Sequence, residues 1–215
     1  MNYQIALFDL DGTIINSQVG ITRSVQYSLK HFGIEVENPD TLVHFVGPPL
    51  HKSFQNFYSF DTEKSVLAVE KYREYYREKG IFESEMYEGV IHLLEELQQK
   101  GVKIVLATSK PEFFARQILE SLNIIHLFDS IYGSNLDLTR SDKAEIIQEI
   151  LRFYPEYHTK DFIMIGDKEH DIIGANKNNI DSVGVLWGFG SHSELENHNP
   201  KFIVREMKEI AEIVL

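Results

Sequence analysis

The sequence predicts a doubly wound, parallel α/β sheet with an α-helical domain inserted after the first strand. Two features carry that reading. Short apolar runs of strand length alternate with amphipathic segments of helical period, the pattern of a parallel sheet buried on both faces. The interval between the first and second runs is too long for one crossover helix, and its own pattern is mainly helical.

The first run is Ile5-Ala6-Leu7-Phe8. Residues from about Ile15 to about Ser84 then read as helical, with segments at Ile21 to Phe32 and Glu63 to Lys79. This predicts a helical domain over 15–84 inserted into a core of 1–14 and 85–215. Phe54, Phe57, Tyr58, Phe60, Tyr72, Tyr75 and Tyr76 are expected to form most of the inserted domain's core, because aromatics at helical spacing are usually packing. A stacking platform for bases is the sharper alternative. Gly89 to Gln99 is amphipathic, with Val90, Leu93, Leu94 and Leu97 at helical spacing and Gly101 as a stop signal. The second run is Lys103 to Ala107, followed by a helical pattern from Pro111 to Leu122 and another from Lys143 to Phe153. Phe162 to Ile165, Ser182 to Leu186 and the weaker Phe202 to Val204 complete the strands. No repeat or low-complexity segment interrupts the pattern.

A chain of 215 residues fits one domain or a domain with a modest insertion. It contains no cysteine, which excludes disulfides, thiolate metal sites and a cysteine nucleophile. The formal net charge of −12 argues against a nucleic-acid partner, which calls for a basic surface. It also means that an anionic ligand must find local cations. No secretory signal and no bilayer-spanning run is apparent. The expectation is a soluble cytoplasmic protein, monomer or homodimer, with no membrane partner.

Four segments carry chemistry. The first strand runs into Asp9-Leu10-Asp11-Gly12-Thr13, two acids at the carboxyl end of a strand, where open α/β sheets bind ligands. Carboxylates held close together require a cation or a shared proton, and Gly12 lets the chain turn away. The second strand leads to Thr108-Ser109-Lys110-Pro111, a hydroxyl and backbone N–H groups at an expected helix start, suited either to an oxyanion or to a simple N-cap. Lys143 opens a helix, where the dipole offers a cation nothing; a nearby anion explains it, and a solvated side chain is the alternative. A later strand ends in Gly166-Asp167, with Asp171 four residues on. This oxygen-only pair suits a hard cation such as Mg²⁺. His170, between them, reads as an exposed helix residue.

Acid pair, hydroxyl, lysine, acid pair, each at a strand end or helix start: the arrangement resembles the haloacid dehalogenase superfamily over nearly the whole chain. The insertion resembles the helical cap of its phosphoglycolate phosphatase-like subgroup. Gly47-Pro48-Pro49-Leu50 and Trp187-Gly188-Phe189-Gly190 are similar to loops of that subgroup and of related 5'-nucleotidases. Ser109 departs from the asparagine that phosphoglycolate phosphatases often carry there. The resemblance implies a Mg²⁺-dependent phosphatase of a small soluble phosphate ester. Asp9 would be the nucleophile and Asp11 the acid and then base. Thr108 and Lys143 would hold phosphoryl oxygens, and Mg²⁺ would be bound by Asp9, the Asp11 backbone carbonyl, Asp167 and Asp171. Gly12, Ser109, Lys110, Pro48 and Pro49 are the expected substrate contacts, although Lys110, like Arg23 and Lys52, also reads as an ordinary surface residue. A sugar phosphomutase of the same superfamily and a response-regulator-like phosphoacceptor module are the rival readings.

Overall fold

The computed structural model describes residues 2–215. In chain order the elements are β1 (Ile5–Phe8), β2 (Ile15–Asn16), α1 (Gln18–His31), α2 (Leu50–Tyr58), α3 (Thr62–Glu78), β3 (Glu85–Met86), α4 (Val90–Gln99) and β4 (Lys103–Pro111). They continue with α5 (Glu112–Ser121), β5 (Ser130–Ser134), α6 (Lys143–Phe153), β6 (Phe162–Gly166), α7 (Glu169–Lys177), β7 (Asp181–Val185), α8 (His192–Glu196), β8 (Phe202–Val204) and α9 (Met207–Val214). Two compact units result: one runs up to Ile15 and resumes at Met86, and the other is Asn16–Glu85.

The first unit is the sheet. Six parallel strands lie in the order β5-β4-β1-β6-β7-β8. The chain moves outward from β1 through β4 to β5, then returns to the other side of β1 as β6. The topological switch point therefore falls between β1 and β6, where doubly wound sheets form their ligand crevice. Ile5 and Leu7 of β1, Val105 and Ala107 of β4, and Phe162 and Met164 of β6 form one core cluster with Ile146, Ile147 and Ile150 of α6 and Ala175 of α7. The alternate residues Ala6, Phe8, Ile104 and Leu106 are equally buried, so both faces are covered, with α4 and α5 also packed on β4. This is why the strands read as continuous apolar runs.

Strand β5 was not anticipated from the sequence. It is an edge strand whose Ser130, Tyr132 and Gly133 dilute the apolar signal, and it is recognisable only by its pairing with β4. Pro111 ends β4 with extended dihedrals (φ −54°, ψ 128°), so α5 starts at Glu112 rather than at Pro111.

The second unit is helical. Helices α1 and α3 pack together, and the Ser28 hydroxyl donates to Ala68 O at 2.7 Å. Its core holds Phe45, Phe54, Phe60, Tyr72 and Tyr76, with Phe54 stacked on Phe60 at 5.9 Å. Phe57 does not join them: it is half exposed and lies edge-on to His44 at 4.2 Å, while Tyr58 and Tyr75 are half-buried. Among the described residues no helix is long and apolar enough to cross a membrane.

Candidate active site

Register brings the site together. Phe8 is paired with Leu106 on one side and Ile165 on the other, so Asp9, Ala107 and Gly166 stand level, and Asp9 N donates to Ile165 O at 2.9 Å. Chain continuing past that level supplies Asp11 from β1, Thr108 to Lys110 from β4, and Asp167 from β6.

The β4 segment differs from the helix start expected for it. Thr108 and Ser109 lie on the strand, and the ladder to β5 slips between Ala107 and Pro111. An irregularity of this kind re-aims side chains at a sheet end. Thr108 is buried and its hydroxyl accepts from Lys110 N at 3.2 Å; Ser109 is half-buried.

Two lysines are buried among the acids. Lys143 is the first residue of α6, whose N-cap Asp142 accepts from Ala144 N at 2.9 Å. It is only 3% exposed, which removes the solvated alternative. Its Nζ lies 2.8 Å from Asp9 Oδ1 and 2.8 Å from Asp171 Oδ1, and donates to Ala107 O at 2.7 Å. The surface reading of Lys110 also fails: Lys110 is buried and its Nζ lies 2.9 Å from Asp11 Oδ2. Arg23 pairs instead with Glu83 at 2.6 Å within the helical unit, and Lys52 is exposed. Pro48 and Pro49 belong to that same unit, with Pro49 as the N-cap of α2.

Asp167 is fully buried behind a tight wall. A Cβ on Gly12 (φ +86°) would stand 2.2 Å from its carboxylate, and one on Gly188 would stand 2.3 Å from its Cβ. Only glycine permits both approaches. The Trp187–Gly190 segment closes over it: Phe189 N donates to Asp167 Oδ2 at 2.7 Å, and Trp187 Nε1 to Thr13 O at 3.2 Å. Asp171, in the first turn of α7, accepts from Lys168 N at 3.1 Å. His170 is half-buried rather than exposed.

Residues 6–185 match the family described as haloacid dehalogenase-like hydrolase. The chain belongs to that family. It is 39% identical over 214 residues to a 5'-nucleotidase of Pseudomonas aeruginosa, covering 100% of this chain and 96% of that one. A tyrosine-protein kinase PtkA of Mycobacterium tuberculosis is 35% identical over 190 residues, 87% of this chain and 63% of that protein. Among solved structures, one described as a predicted phosphatase from Clostridium acetobutylicum superposes with a TM-score of 0.96 at 45% identity, covering 100% of this chain and 99% of that one.

In this hydrolase the electrostatics set the metal question. Asp9, Asp167 and Asp171, all buried, each offer an oxygen within 4.8 Å of the others. Asp11 adds a fourth buried carboxylate, whereas among the described residues only Lys110 and Lys143 bring buried ammonium groups. Two negative charges are therefore left without a buried partner. Among the described residues Asp167 has no ion-pair partner and its Oδ1 no hydrogen-bond donor, while Asp9 and Asp171 share the single ammonium of Lys143. Burial, opposed by Lys143 and reinforced by Asp171 and Asp11, pushes Asp9 up to about 6. Burial and the negative charges of Asp171 and Asp9 hold Asp167 well above the carboxylate range. Lys143 moves up as well: burial opposes its charge, but Asp171 and Asp9 outweigh it. One ammonium shared by two acids stays charged without satisfying both. An oxygen-only, doubly negative cluster fits a hard divalent cation.

Two contributors were missed in the sequence. The Phe189 backbone N–H lies in the loop the resemblance marked, but nothing in the sequence aimed it at Asp167. Tyr87, which has no motif, is half-buried; burial and the charges of Asp167 and Asp11 raise its hydroxyl to about 12.

The raised acids fix a pH dependence. A folded-state pKa above the unfolded value of about 3.9 favours the folded protein below that pH. In metal-free protein this contribution is expected to fade as pH rises through about 6, the value Asp9 reaches. Mg²⁺ at a hundredfold excess over its Kd is expected to add about 2.7 kcal/mol, or about 5–10 °C in Tm, at pH 7.5. Asp167→Asn is expected to raise the Tm in chelator and to abolish the Mg²⁺ increment. Differential scanning calorimetry at pH 5 and 7.5 checks both, and an undiminished Mg²⁺ increment in the variant contradicts the site.

Proposed function

We propose that this phosphatase of the haloacid dehalogenase-like family hydrolyses a small soluble phosphate monoester through an aspartyl phosphate on Asp9, with Mg²⁺ as its metal. One observation supports it above the others: two acids with a single residue between them are held by different cations. Lys143 fixes Asp9 against Asp171, and Lys110 fixes Asp11 separately. Separate restraint lets one carboxylate attack while the other moves protons.

In the first half-reaction an Asp9 oxygen bonds to phosphorus as the ester P–O bond breaks, and the Asp11 proton goes to the leaving oxygen. In the second, water attacks the same phosphorus and Asp11 takes its proton. The bond from phosphorus to Asp9 then breaks, releasing inorganic phosphate and restoring the carboxylate. The Thr108 hydroxyl and the Lys143 ammonium hold non-bridging oxygens where charge gathers, with Gly12 and Ser109 lining the phosphoryl position. Mg²⁺ held by Asp9, the Asp11 carbonyl, Asp167 and Asp171 would neutralise charge that otherwise keeps an anionic substrate away from Asp9.

The substrate class we favour is a nucleoside monophosphate or a phosphoglycolate-like ester. The similarity over the full chain to a protein named a 5'-nucleotidase supports this choice. The relative named a tyrosine-protein kinase is a reminder that a shared scaffold leaves the substrate to the site and its surroundings. In this reading residues 16–85 act as a cap that selects the leaving group through the Gly47–Leu50 loop, which two prolines keep stiff.

Asp9→Asn is expected to lower kcat for a generic aryl phosphate by about 10⁴-fold or more while the protein still melts as a folded domain. Turnover within tenfold of wild type sinks the covalent mechanism. Pro48→Ala and Pro49→Ala are expected to change kcat/KM unequally among nucleoside monophosphates, phosphoglycolate and sugar phosphates, by about tenfold between best and worst. Equal losses for every ester make the loop a structural support only. Isomerised sugar phosphate in place of free phosphate points to a mutase.

A further inference from the structure

Lys110 stands apart from the residues assigned so far. Its ammonium lies 2.9 Å from Asp11 Oδ2, and both side chains are more than nine-tenths buried. Taking two such charges from water is costly, and the arrangement is kept only where geometry compensates. Strand β4 supplies that geometry. Its ladder to β5 slips between Ala107 and Pro111, and Lys110 N is tied to the Thr108 hydroxyl, which fixes the backbone from which the side chain crosses to the end of β1. From the start of α6, Lys143 holds Asp9 and Asp171. The three acids that can share a cation are Asp9, Asp167 and Asp171; the Asp11 side chain is outside that group. Two buried ammonium groups thus sort the carboxylates, one to the cation cluster and one away from it.

We propose that Lys110 is a positioning residue for Asp11. Its ammonium draws the carboxylate out of the cation cluster and aims it at the leaving oxygen, so that Asp11 can give and take the proton rather than coordinate metal. This rests on the phosphatase reading above. For the first half-reaction Asp11 takes a proton from water onto Oδ1, the oxygen Lys110 does not hold; the Asp9–phosphorus bond then forms, the phosphorus–leaving-oxygen bond breaks, and that proton passes from Asp11 to the leaving oxygen. Without Lys110, the carboxylate is free to swing toward the cation cluster, and proton delivery suffers while attack by Asp9 does not.

That division predicts a dependence on leaving group. An ester that departs as a stable phenolate needs little proton transfer, whereas an alkyl or unsubstituted phenyl ester needs it fully. kcat/KM is the quantity to measure because it stops at formation of the aspartyl phosphate, before water attacks. The test is a series of aryl phosphates, from dinitrophenyl to phenyl, with Lys110→Met, Lys110→Arg and Asp11→Asn. Lys110→Met is expected to lose about 100-fold or more on phenyl phosphate and less than about tenfold on dinitrophenyl phosphate. Asp11→Asn is expected to show the same slope, the double variant no further loss, and Lys110→Arg a partial recovery, since it keeps the charge. Mg²⁺ titration followed by the thermal shift should give tighter Mg²⁺ binding in Lys110→Met, because a carboxylate has been released to the cation. Melting curves identify any variant that has not folded, and Lys110→Arg then carries the comparison. A loss equal for all leaving groups makes Lys110 a substrate cation or a structural support and overturns the proposal, as does no loss at all. Wild-type protein that turns over no aryl phosphate overturns the phosphatase reading, and this role for Lys110 with it.

Discussion

Four buried carboxylates meet two buried ammonium groups at the switch point of the sheet, and the other features of the site answer to that imbalance. Like charges a few ångströms apart in a low-dielectric interior repel strongly. Here the repulsion is partly met by Lys143 between Asp9 and Asp171 and by Lys110 on Asp11. What remains is negative, and burial first, with the neighbouring carboxylates adding to it, raises Asp9 and Asp167. Such a cluster costs stability unless a divalent cation occupies it, so the same groups that weaken the fold in isolation would supply the binding energy for a metal.

The scaffold makes this arrangement reproducible. Parallel register places Asp9, Ala107 and Gly166 level; Asp11, Thr108 and Asp167 follow within two residues of that plane, and Asp171 is brought back to it by the first turn of α7. Behind them is a core of Ile, Val and Met from β1, β4 and β6 packed on α6 and α7. Helix α6 delivers Lys143 from its first turn, where the helix dipole disfavours a cation; two carboxylates at 2.8 Å outweigh it. The loop after β7 seals Asp167 with one backbone N–H, at a distance that glycine at 12 and 188 alone allows. Each element has its own packing reason to be where it is, and the site is where those reasons coincide.

The sheet was readable because parallel strands buried on both faces are continuous apolar runs, and Ile5 to Phe8 and Phe162 to Ile165 are unbroken. Ser130–Ser134 was not, because an edge strand interrupted by Ser, Tyr and Gly has no such run. The four chemical segments were recognisable by position at strand ends, yet their burial was not: Lys143 and Lys110 both had solvated readings until the acids around them were placed. Phe57 shows the limit of periodicity, which marks an aromatic as part of a helix face without saying whether another element covers it. The closure of Trp187–Gly190 over Asp167 is a long-range contact; the resemblance marked the loop and its glycines, but not the carboxylate it covers.

The central claim is that phosphoryl transfer passes through the Asp9 carboxylate. The direct measurement is to quench the enzyme during turnover of a phosphate ester with Mg²⁺, reduce with borohydride, and map the modified residue by peptide mass spectrometry. An acyl phosphate is reduced to the alcohol, so the account expects aspartate at position 9, and no other, to become homoserine, only when substrate and Mg²⁺ are both present. Homoserine at another acid, or none at any position while phosphate is released at full rate, contradicts it.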